Sequence, residues 1–319
     1  MEIEVSKKAL LLLNMGGPRN LEEVEVFLKN MFDDPRILTM PSLFRKMVGG
    51  MIVKGRKGEA VKNYEILGGK SPIVAHTEKL VDKLARYLKN DDIGVFHIMR
   101  YTPPFAYEVL KELQEKGVEE IFLLPLYPHF STTTTASSFD DIDASLKKLN
   151  FSPKIKRITS FYDHIGYNLA VIERIKEAMA GKDPKEFDLI FSAHGLPQKM
   201  VDAGDPYQTQ IETNVEILKD LLEKANILFN DIHLAYQSKV GPLKWLTPSL
   251  GEKLREIENR KVLIYPISFT LDNSETDFEL SIEYRKEALE LGFEEYIVSK
   301  CVNDSDLFVK SLVDIYKNM

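Results

Sequence analysis

Phe187-Asp-Leu-Ile-Phe-Ser-Ala-His-Gly-Leu-Pro197 gives the clearest indication of a parallel α/β sheet in this chain. The apolar run from Phe187 to Phe191 predicts a buried strand, and the Gly-Leu-Pro that follows predicts its abrupt end. In doubly wound sheets, ligands bind in the crevice outside the carboxyl ends of the strands. His194 is therefore predicted at a binding centre, although a histidine that only hydrogen-bonds the neighbouring loop would give the same pattern.

A second strand ends in a cluster of acidic residues. The apolar run Val262–Phe269 predicts a strand, and any residue of the segment 272–274 could cap the helix that follows. Glu275, Glu279 and Glu283 then fall at i, i+4 and i+8, which would stack three carboxylates along one face of an α-helix. The stripe fits either a solvated acidic face or a hydrated path for cations or protons into a pocket.

Strand and helix patterns alternate along the whole chain, which predicts an α/β fold with parallel sheets. The strand candidates are residues 9–14, 93–99, 121–126, 155–158, 189–193, 232–236, 262–269 and 295–298. Eight strands divided evenly near residue 160 predict two doubly wound, Rossmann-like domains. We expect the boundaries 1–160 and 161–303.

Composition excludes several classes of protein. The chain has 319 residues with 42 basic and 49 acidic side chains, so a net charge of −7 gives no positive field that would attract nucleic acid. The single Cys301 cannot form an internal disulfide, and no CxxC or HExxH pattern provides a metal site. No signal peptide and no apolar run of about 18 residues is present. We expect a cytoplasmic protein.

Two further motifs could contact a ligand, but neither pattern alone specifies which ligand. Asn14-Met-Gly-Gly-Pro18 follows a strand, but GxGxxG and GxxxxGK[ST] are both absent, so we reject nucleotide binding. Its glycines instead predict a tight turn and close approach of a flat ligand. The hydroxyl run Ser131–Ser138 could bind a carboxylate, yet such a run more often turns a loop and caps a helix.

Eight motifs, in order, resemble the ferrochelatase family, whose members insert ferrous iron into a porphyrin. They extend over nearly the whole chain: Leu11–Pro18, Gly68–Ile73, Met99–Pro103, Leu124–Ser131, Phe191–Pro197, Gly204–Tyr207, Tyr236–Pro242 with Trp245 and Leu246, and Asp272–Glu275. The resemblance implies a chelatase-like fold with the active-site cleft between its two domains. It also implies that the helix at 304–319 packs back on the first domain.

The resemblance assigns the reaction to His194 and Glu275, as catalytic groups and as metal ligands. Metal insertion requires two pyrrole protons to leave, and an imidazole with an ordinary pKa near ~6.5 is suited to accept them. One imidazole and one carboxylate form an incomplete ligand set, which suits an ion that must be passed on. Asp272, Glu279 and Glu283 are expected to form the path for protons or metal.

The resemblance also assigns residues to the porphyrin. Flat or apolar walls and polar groups for the propionates or the rim are expected from Met15, Arg56, Tyr64, Arg100, Tyr101, Tyr127, Ser131, Trp245 and Phe269. For each aromatic residue taken alone, core packing is the better explanation of its presence. Asn273 departs from the family, which usually has histidine there, so Asp272 or water must replace any relay through that histidine, or the relay is dispensable.

Residues 40–56 allow two interpretations. Apolar side chains recur at helical spacing from Leu43 to Ile52, which predicts a buried helix by default. The resemblance instead implies an apolar lip over the porphyrin, and such a lip could rest peripherally on a membrane.

The leading hypothesis is thus a ferrochelatase of haem synthesis acting on protoporphyrin IX. Ferrous iron is expected as a substrate, with no permanently bound cofactor and no iron–sulfur cluster, since such a cluster needs several cysteines. The alternatives are a coproporphyrin ferrochelatase, another chelatase that takes cobalt, and a non-catalytic porphyrin or haem carrier. A carrier would not need His194 and Glu275.

Overall fold

A computed structural model describes residues 6–238 and 243–319. Residues 1–5 and 239–242, which include the start of the chain and the end of the Tyr236–Pro242 motif, lie outside the described residues. The chain divides into two compact units. Unit 1 comprises residues 1–127, 131–160 and 312–319, and unit 2 comprises 128–130 and 161–311.

Unit 1 is built on a parallel four-stranded sheet with strand order β2-β1-β3-β4. Its strands are β1 (Lys8–Asn14), β2 (Gly94–Met99), β3 (Glu120–Pro125) and β4 (Lys154–Arg157). Its helices are α1 (Glu23–Phe32), α2 (Ser42–Ile66), α3 (Ile73–Tyr87), α4 (Ala106–Glu115), a first π-helix (Thr132–Ala136) and α5 (Ser137–Leu149). Leu10 to Leu13 of β1 are at most 1% exposed, as expected for a strand covered on both faces.

Unit 2 repeats this arrangement with strand order β6-β5-β7-β8. Its strands are β5 (Asp188–His194), β6 (Asp231–Gln237), β7 (Lys261–Pro266) and β8 (Glu295–Val298). Its helices are α6 (Ile165–Ala178), a 3₁₀ turn (Pro184–Glu186), α7 (Gln198–Asp202), α8 (Tyr207–Lys224), α9 (Leu250–Glu256), a second π-helix (Glu275–Tyr284) and α10 (Arg285–Glu290). The last helix, α11 (Asp306–Lys317), contributes residues to both units.

The two parallel sheets confirm the predicted fold class, but two predicted elements differ. The strand expected over 262–269 ends at Pro266, because proline has no N–H to continue the ladder. The acidic helix is a π-helix from Glu275 to Tyr284, whose i→i+5 bonds put more residues in each turn than an α-helix has. Glu275 and Glu279 are partly buried, whereas Glu283 is exposed.

Helix α2 also differs from the default expectation. Leu43 is 78% exposed, Phe44 and Met47 are each 57% exposed, and Met51 is 61% exposed, so this apolar face is not buried in the core. Val53, on the same helix, is only 4% exposed. The prediction of a buried helix is wrong for the face that carries Leu43, Phe44, Met47 and Met51. Among the described residues, no helix combines the length and apolar character needed to cross a bilayer.

Candidate active site

His194 and Glu275 meet at the carboxyl ends of neighbouring strands. His194 is the last residue of β5, and Glu275 begins the second π-helix, nine residues after the end of β7. Their side chains lie 2.7 Å apart, from Nδ1 of His194 to Oε2 of Glu275. Because an ionised carboxylate can only accept, Nδ1 donates in this hydrogen bond. The two side chains are 36% and 24% exposed, so both remain accessible to a ligand.

Electrostatics keep this imidazole protonated. Burial alone would lower the pKa of His194, but the charge of Glu275, the hydrogen bond that His194 donates to it and the charge of Glu279 together raise the pKa to about 9. At neutral pH the imidazole of His194 is therefore protonated. The sequence alone predicts that His194 is a free base with an ordinary pKa. That prediction is wrong, because the partner carboxylate stabilises the protonated imidazole.

Glu279 is the second carboxylate of the site. Ser238, at the end of β6, donates its backbone N–H and its hydroxyl to the two oxygens of Glu279 at 2.7 and 2.5 Å. The same hydroxyl lies 3.4 Å from Oε2 of Glu275. Burial and the neighbouring charge of Glu275 raise the pKa of Glu279 to about 7, against opposing effects of Ser238 and His194. Glu279 thus titrates near neutral pH.

Two aromatic side chains lie beside His194. The ring of Phe269 meets the imidazole edge to face, with ring centroids 6.4 Å apart. Trp245 packs against Gly195, where an added Cβ would lie 3.3 Å from the indole ring and 2.8 Å from the carbonyl oxygen of Gln237. A glycine directly after His194 therefore lets β6 and Trp245 approach the strand end closely.

Asp272 and Asn273 face the local backbone. The Asp272 carboxylate accepts from the backbone N–H of Cys301 at 2.8 Å and from Nδ2 of Asn303 at 2.7 Å, so it holds the segment after β8. The Asn273 side chain accepts the Glu275 N–H at 2.7 Å, as a capping residue does. The structure therefore brings together His194, Glu275 and Glu279 but not Asp272 or the exposed Glu283.

Three sequence-predicted residues of unit 1, Arg100, Tyr101 and Tyr127, lie at a second polar cluster. Arg100 lies 3.0 Å from the carboxylate of Asp34, which is 1% exposed, and it donates from Nε to Ser137 at 2.8 Å. The Tyr101 hydroxyl donates to the same carboxylate at 2.9 Å. Tyr127 lies close enough for the charges of Arg100 and Asp34 to act on it. Asp34 was not predicted, since a lone aspartate after a helix carries no distinctive pattern.

The other predicted side chains of unit 1 have different surroundings. Tyr64 and Tyr101 are buried in one apolar cluster, against which Met15 is packed. Arg56 lies on the exposed surface of α2. The Ser131 hydroxyl accepts the Thr133 N–H at 3.2 Å and so caps the first π-helix, as the structural interpretation of the hydroxyl run expects.

The structure offers an incomplete set of metal ligands. Within residues 6–238 and 243–319, no group of three or more His, Cys, Asp or Glu side chains is arranged to hold an ion. Cys301 is buried and free. The pair His194 and Glu275 can supply two ligands, and an ion held by two protein ligands retains open positions for exchange.

Comparison with known proteins identifies the family. The ferrochelatase family model matches residues 7–319. A ferrochelatase of Sulfurimonas denitrificans is 52% identical over 316 residues, which cover 99% of this chain and 100% of that protein. A ferrochelatase of Nitratiruptor sp. is 54% identical over 313 residues, which cover 98% of this chain and 100% of that protein.

Solved structures show the same fold at low identity. SirB from Bacillus subtilis, solved with Fe³⁺, gives a TM-score of 0.58 at 10% identity and covers 98% of this chain and 94% of its own. CbiX, the terminal enzyme of sirohaem biosynthesis in denitrifying bacteria, gives 0.55 at 11% identity and covers 98% of both chains. The full-length match to the family model and the relatives at about half identity show that this chain belongs to the ferrochelatase family.

Proposed function

We propose that this chain inserts Fe²⁺ into protoporphyrin IX to form protohaem, with His194 and Glu275 at the reacting face. The observation that carries the proposal is the 2.7 Å contact between these two side chains at the carboxyl ends of β5 and β7. In a member of the ferrochelatase family, this pair offers the one imidazole and one carboxylate that a transferred ion needs.

The raised pKa of His194 supports a shared role of the pair. In the metal-free protein, the imidazole holds a proton against Glu275. An arriving dication repels that proton, and the freed nitrogen lone pair and the carboxylate become ligands. The pair therefore holds a proton and the metal in turn.

Proton removal is the second part of the proposed reaction. Two pyrrole N–H bonds break, all four pyrrole nitrogens bond to iron and two protons leave, with no change in the oxidation state of iron. Glu279, with a pKa of about 7, is suited to accept and release these protons at neutral pH. Ser238 holds the carboxylate of Glu279 beside Glu275.

Several of the predicted side chains are proposed to contact the porphyrin. Phe269 and Trp245 flank His194 and present flat apolar surface. Met15, Tyr64 and Tyr101 belong to one apolar cluster of unit 1. Tyr127 and Ser131 both lie in the segment that follows β3. Arg100 is the proposed partner of a propionate, because a guanidinium has five N–H donors and Ser137 and Asp34 do not use them all. Arg56 is proposed for the rim.

We place the protein in the cytoplasm, with α2 resting on the surface of a bilayer. Leu43, Met47 and Met51 recur every four residues and are all exposed, so they share one helical face. Lys46 and Lys54 are exposed beside them and would meet anionic headgroups. The exposed apolar side chains would enter the headgroup boundary, where an apolar porphyrin is exchanged.

A direct assay tests the proposed function. Purified protein is mixed anaerobically with Fe²⁺ and either protoporphyrin IX or coproporphyrin III, and haem formation is followed by absorbance. We expect turnover with protoporphyrin IX, and none in His194→Ala. Turnover with coproporphyrin alone, or with Co²⁺ alone, would replace the proposed substrate. Porphyrin binding without turnover with either ion would indicate a carrier.

A further inference from the structure

The backbone of His194 lies just beyond the end of one neighbouring strand. Strand β5 pairs with β6 up to His194 and Gln237, but its pairing with β7 ends at Ser192 and Pro266. The Ile267 N–H still donates to the Ser192 carbonyl at 3.0 Å. Since alternate residues of a strand turn their backbone groups to the same side, the N–H and C=O of His194 face the β7 side, where no strand residue remains to pair with them. A buried backbone group without a partner costs stability, so other donors and acceptors must serve here.

Two hydroxyl groups supply those partners. Ser268 Oγ accepts the His194 N–H at 2.9 Å, and Tyr207 Oη donates to the His194 carbonyl at 2.9 Å. The two hydroxyl oxygens lie 2.6 Å apart. Each hydroxyl has one proton, so all three donors are used only if Ser268 donates to Tyr207 and Tyr207 donates to His194. The result is a closed ring of three hydrogen bonds on the backbone of His194.

Tyr207 is itself held rigidly. It is 7% exposed and begins α8, and its backbone N–H donates to Oδ1 of Asp205 at 3.0 Å. The ring of His129 meets it edge to face, with centroids 6.1 Å apart. Burial raises the pKa of the Tyr207 phenol, so its hydroxyl remains a donor at neutral pH.

We infer that Tyr207 and Ser268 are positioning residues, which fix the backbone of His194 so that its imidazole meets Glu275 and the incoming metal. This inference rests on the proposed function and adds two residues to it. The side chain of His194 has only two torsion angles, so the position of its backbone largely determines the position of Nδ1. Small displacements of reacting groups have large kinetic effects. Ser268 also precedes Phe269, whose ring contacts the imidazole. The three hydrogen bonds therefore position the imidazole and its aromatic neighbour together.

Tyr207→Phe tests the inference, with Tyr167→Phe as the matched control. Both tyrosines are buried in unit 2, but among the described residues the Tyr167 hydroxyl has no hydrogen-bond partner. We expect Tyr207→Phe to lower kcat for iron insertion by roughly 10- to 100-fold, the usual effect of losing a group that orients a metal ligand. KM for the porphyrin should change less than about twofold, because the apolar ring is retained. Tyr167→Phe should leave both constants unchanged.

Ser268 provides an independent pair of variants in case Tyr207→Phe folds poorly. Ser268→Ala removes the hydroxyl, whereas Ser268→Thr retains it. We expect kcat to fall in Ser268→Ala and to recover most of its value in Ser268→Thr. Equal losses in both serine variants, equal losses in the two tyrosine variants, or wild-type kcat in both Tyr207→Phe and Ser268→Ala would each overturn the inference.

A spectroscopic measurement separates this inference from the proposed reaction. In protein with ¹⁵N-labelled histidine, the Nδ1–H signal of His194 is identified by its loss in His194→Asn. At fixed pH and without metal, we expect this signal to broaden in Tyr207→Phe and to stay sharp in Tyr167→Phe. If the wild-type protein does not insert iron but the signal still depends on Tyr207, the proposed function fails and the positioning role stands. A signal that is equally sharp in both tyrosine variants would contradict the positioning role.

Discussion

Ser238 donates both its backbone N–H and its hydroxyl to the carboxylate of Glu279. The φ angle of Ser238 is 64°, in the left-handed region, so the strand end bends to make both bonds. Hydrogen bonds to an ionised carboxylate normally lower its pKa, yet the pKa of Glu279 is raised to about 7, since burial and the charge of Glu275 outweigh Ser238. The site thus keeps a carboxyl group near its titration midpoint at neutral pH.

Stability should therefore depend on pH through Glu279. Its pKa is about 7 in the folded protein and 4.5 as the ordinary value, so the folded state binds the proton more tightly and the free energy of unfolding falls as pH rises from about 4.5 to 7. The pKa of His194 is about 9 in the folded protein and 6.5 as the ordinary value, so the free energy of unfolding continues to fall up to about pH 9. We expect Glu279→Gln to reduce the fall in Tm between pH 5 and 8 by about 2 to 4 °C. Thermal melts across this range measure it. The exposed Glu283→Gln should follow the wild-type curve, and a wild-type slope in Glu279→Gln would contradict the assignment.

His194→Ala should reduce iron insertion at least about 100-fold, because it removes the imidazole that acts as a metal ligand beside Glu275. The fold should survive, since the His194 side chain is 36% exposed and lies at the end of its strand. Initial rates of haem formation, together with a melting curve and the quenching of tryptophan fluorescence by porphyrin, give the comparison. A variant that retains near-normal turnover would remove His194 from the reacting face.

Glu275→Gln keeps the shape of the side chain and removes its charge. The pKa of His194 should then fall from about 9 toward its ordinary value, because Glu275 supplies the largest upward effect. Affinity for a redox-stable probe such as Co²⁺ should fall roughly 10- to 100-fold, with activity falling alongside it. In the wild-type protein the same affinity should rise with pH up to about 9, since proton and metal compete for His194. Titration calorimetry at several pH values measures both, and a pH-independent affinity would contradict the competition.

Asp34→Asn should weaken the Arg100 cluster. The buried carboxylate accepts from Arg100 and from the hydroxyls of Tyr101 and Ser137, so the change removes the closer of the two carboxylates beside the guanidinium. Loss of one partner of a buried ion pair costs about 3 to 5 kcal/mol. We also expect a higher KM for porphyrin, because Arg100 is no longer held in one orientation. Asp141→Asn is the control, since Asp141 lies 3.8 Å from Arg100 and should have a much smaller effect on both denaturant stability and KM.

Replacing Leu43, Phe44 and Met47 together with serine should leave Tm nearly unchanged, because all three side chains are already more than half exposed. Binding to vesicles that contain anionic lipid should weaken, and KM for porphyrin should rise. Val53→Ser on the same helix is the opposite control, since Val53 is 4% exposed and full burial of such a side chain contributes about 1.5 to 3 kcal/mol. A larger loss of Tm in the triple variant than in Val53→Ser would indicate that this face of α2 is covered.

The strands were predictable from sequence because their apolar runs are long and end in Gly, Pro or polar residues. The ends of the strands were less predictable. In β7 the apolar character continues to Phe269, but the backbone leaves the sheet at Pro266. The π-helix was missed because its acidic residues recur every four positions, as they would on an α-helix. Hydrogen-bond geometry, and not side-chain spacing, distinguishes the two helices.

The candidate site was predictable where it lies directly at a strand exit. His194 and Glu275 were expected together, and the structure places them in contact. Tyr207 belongs to the Gly204–Tyr207 motif, which was part of the resemblance, but nothing in that motif indicates that its hydroxyl reaches a residue 13 positions away. Ser238, Ser268 and Asp34 are single polar residues whose partners are distant in sequence. Their roles depend on tertiary contacts that no local pattern encodes.

The shared strand order of the two sheets makes every strand exit of one unit the counterpart of an exit in the other. His194, at the end of β5, corresponds to Asn14 at the end of β1, and the π-helix that begins at Glu275 corresponds to the one that begins at Thr132. One backbone plan thus carries two chemistries: a histidine and a carboxylate meet after β5 and β7, whereas an arginine after β2 is paired with a buried aspartate and hydroxyl groups.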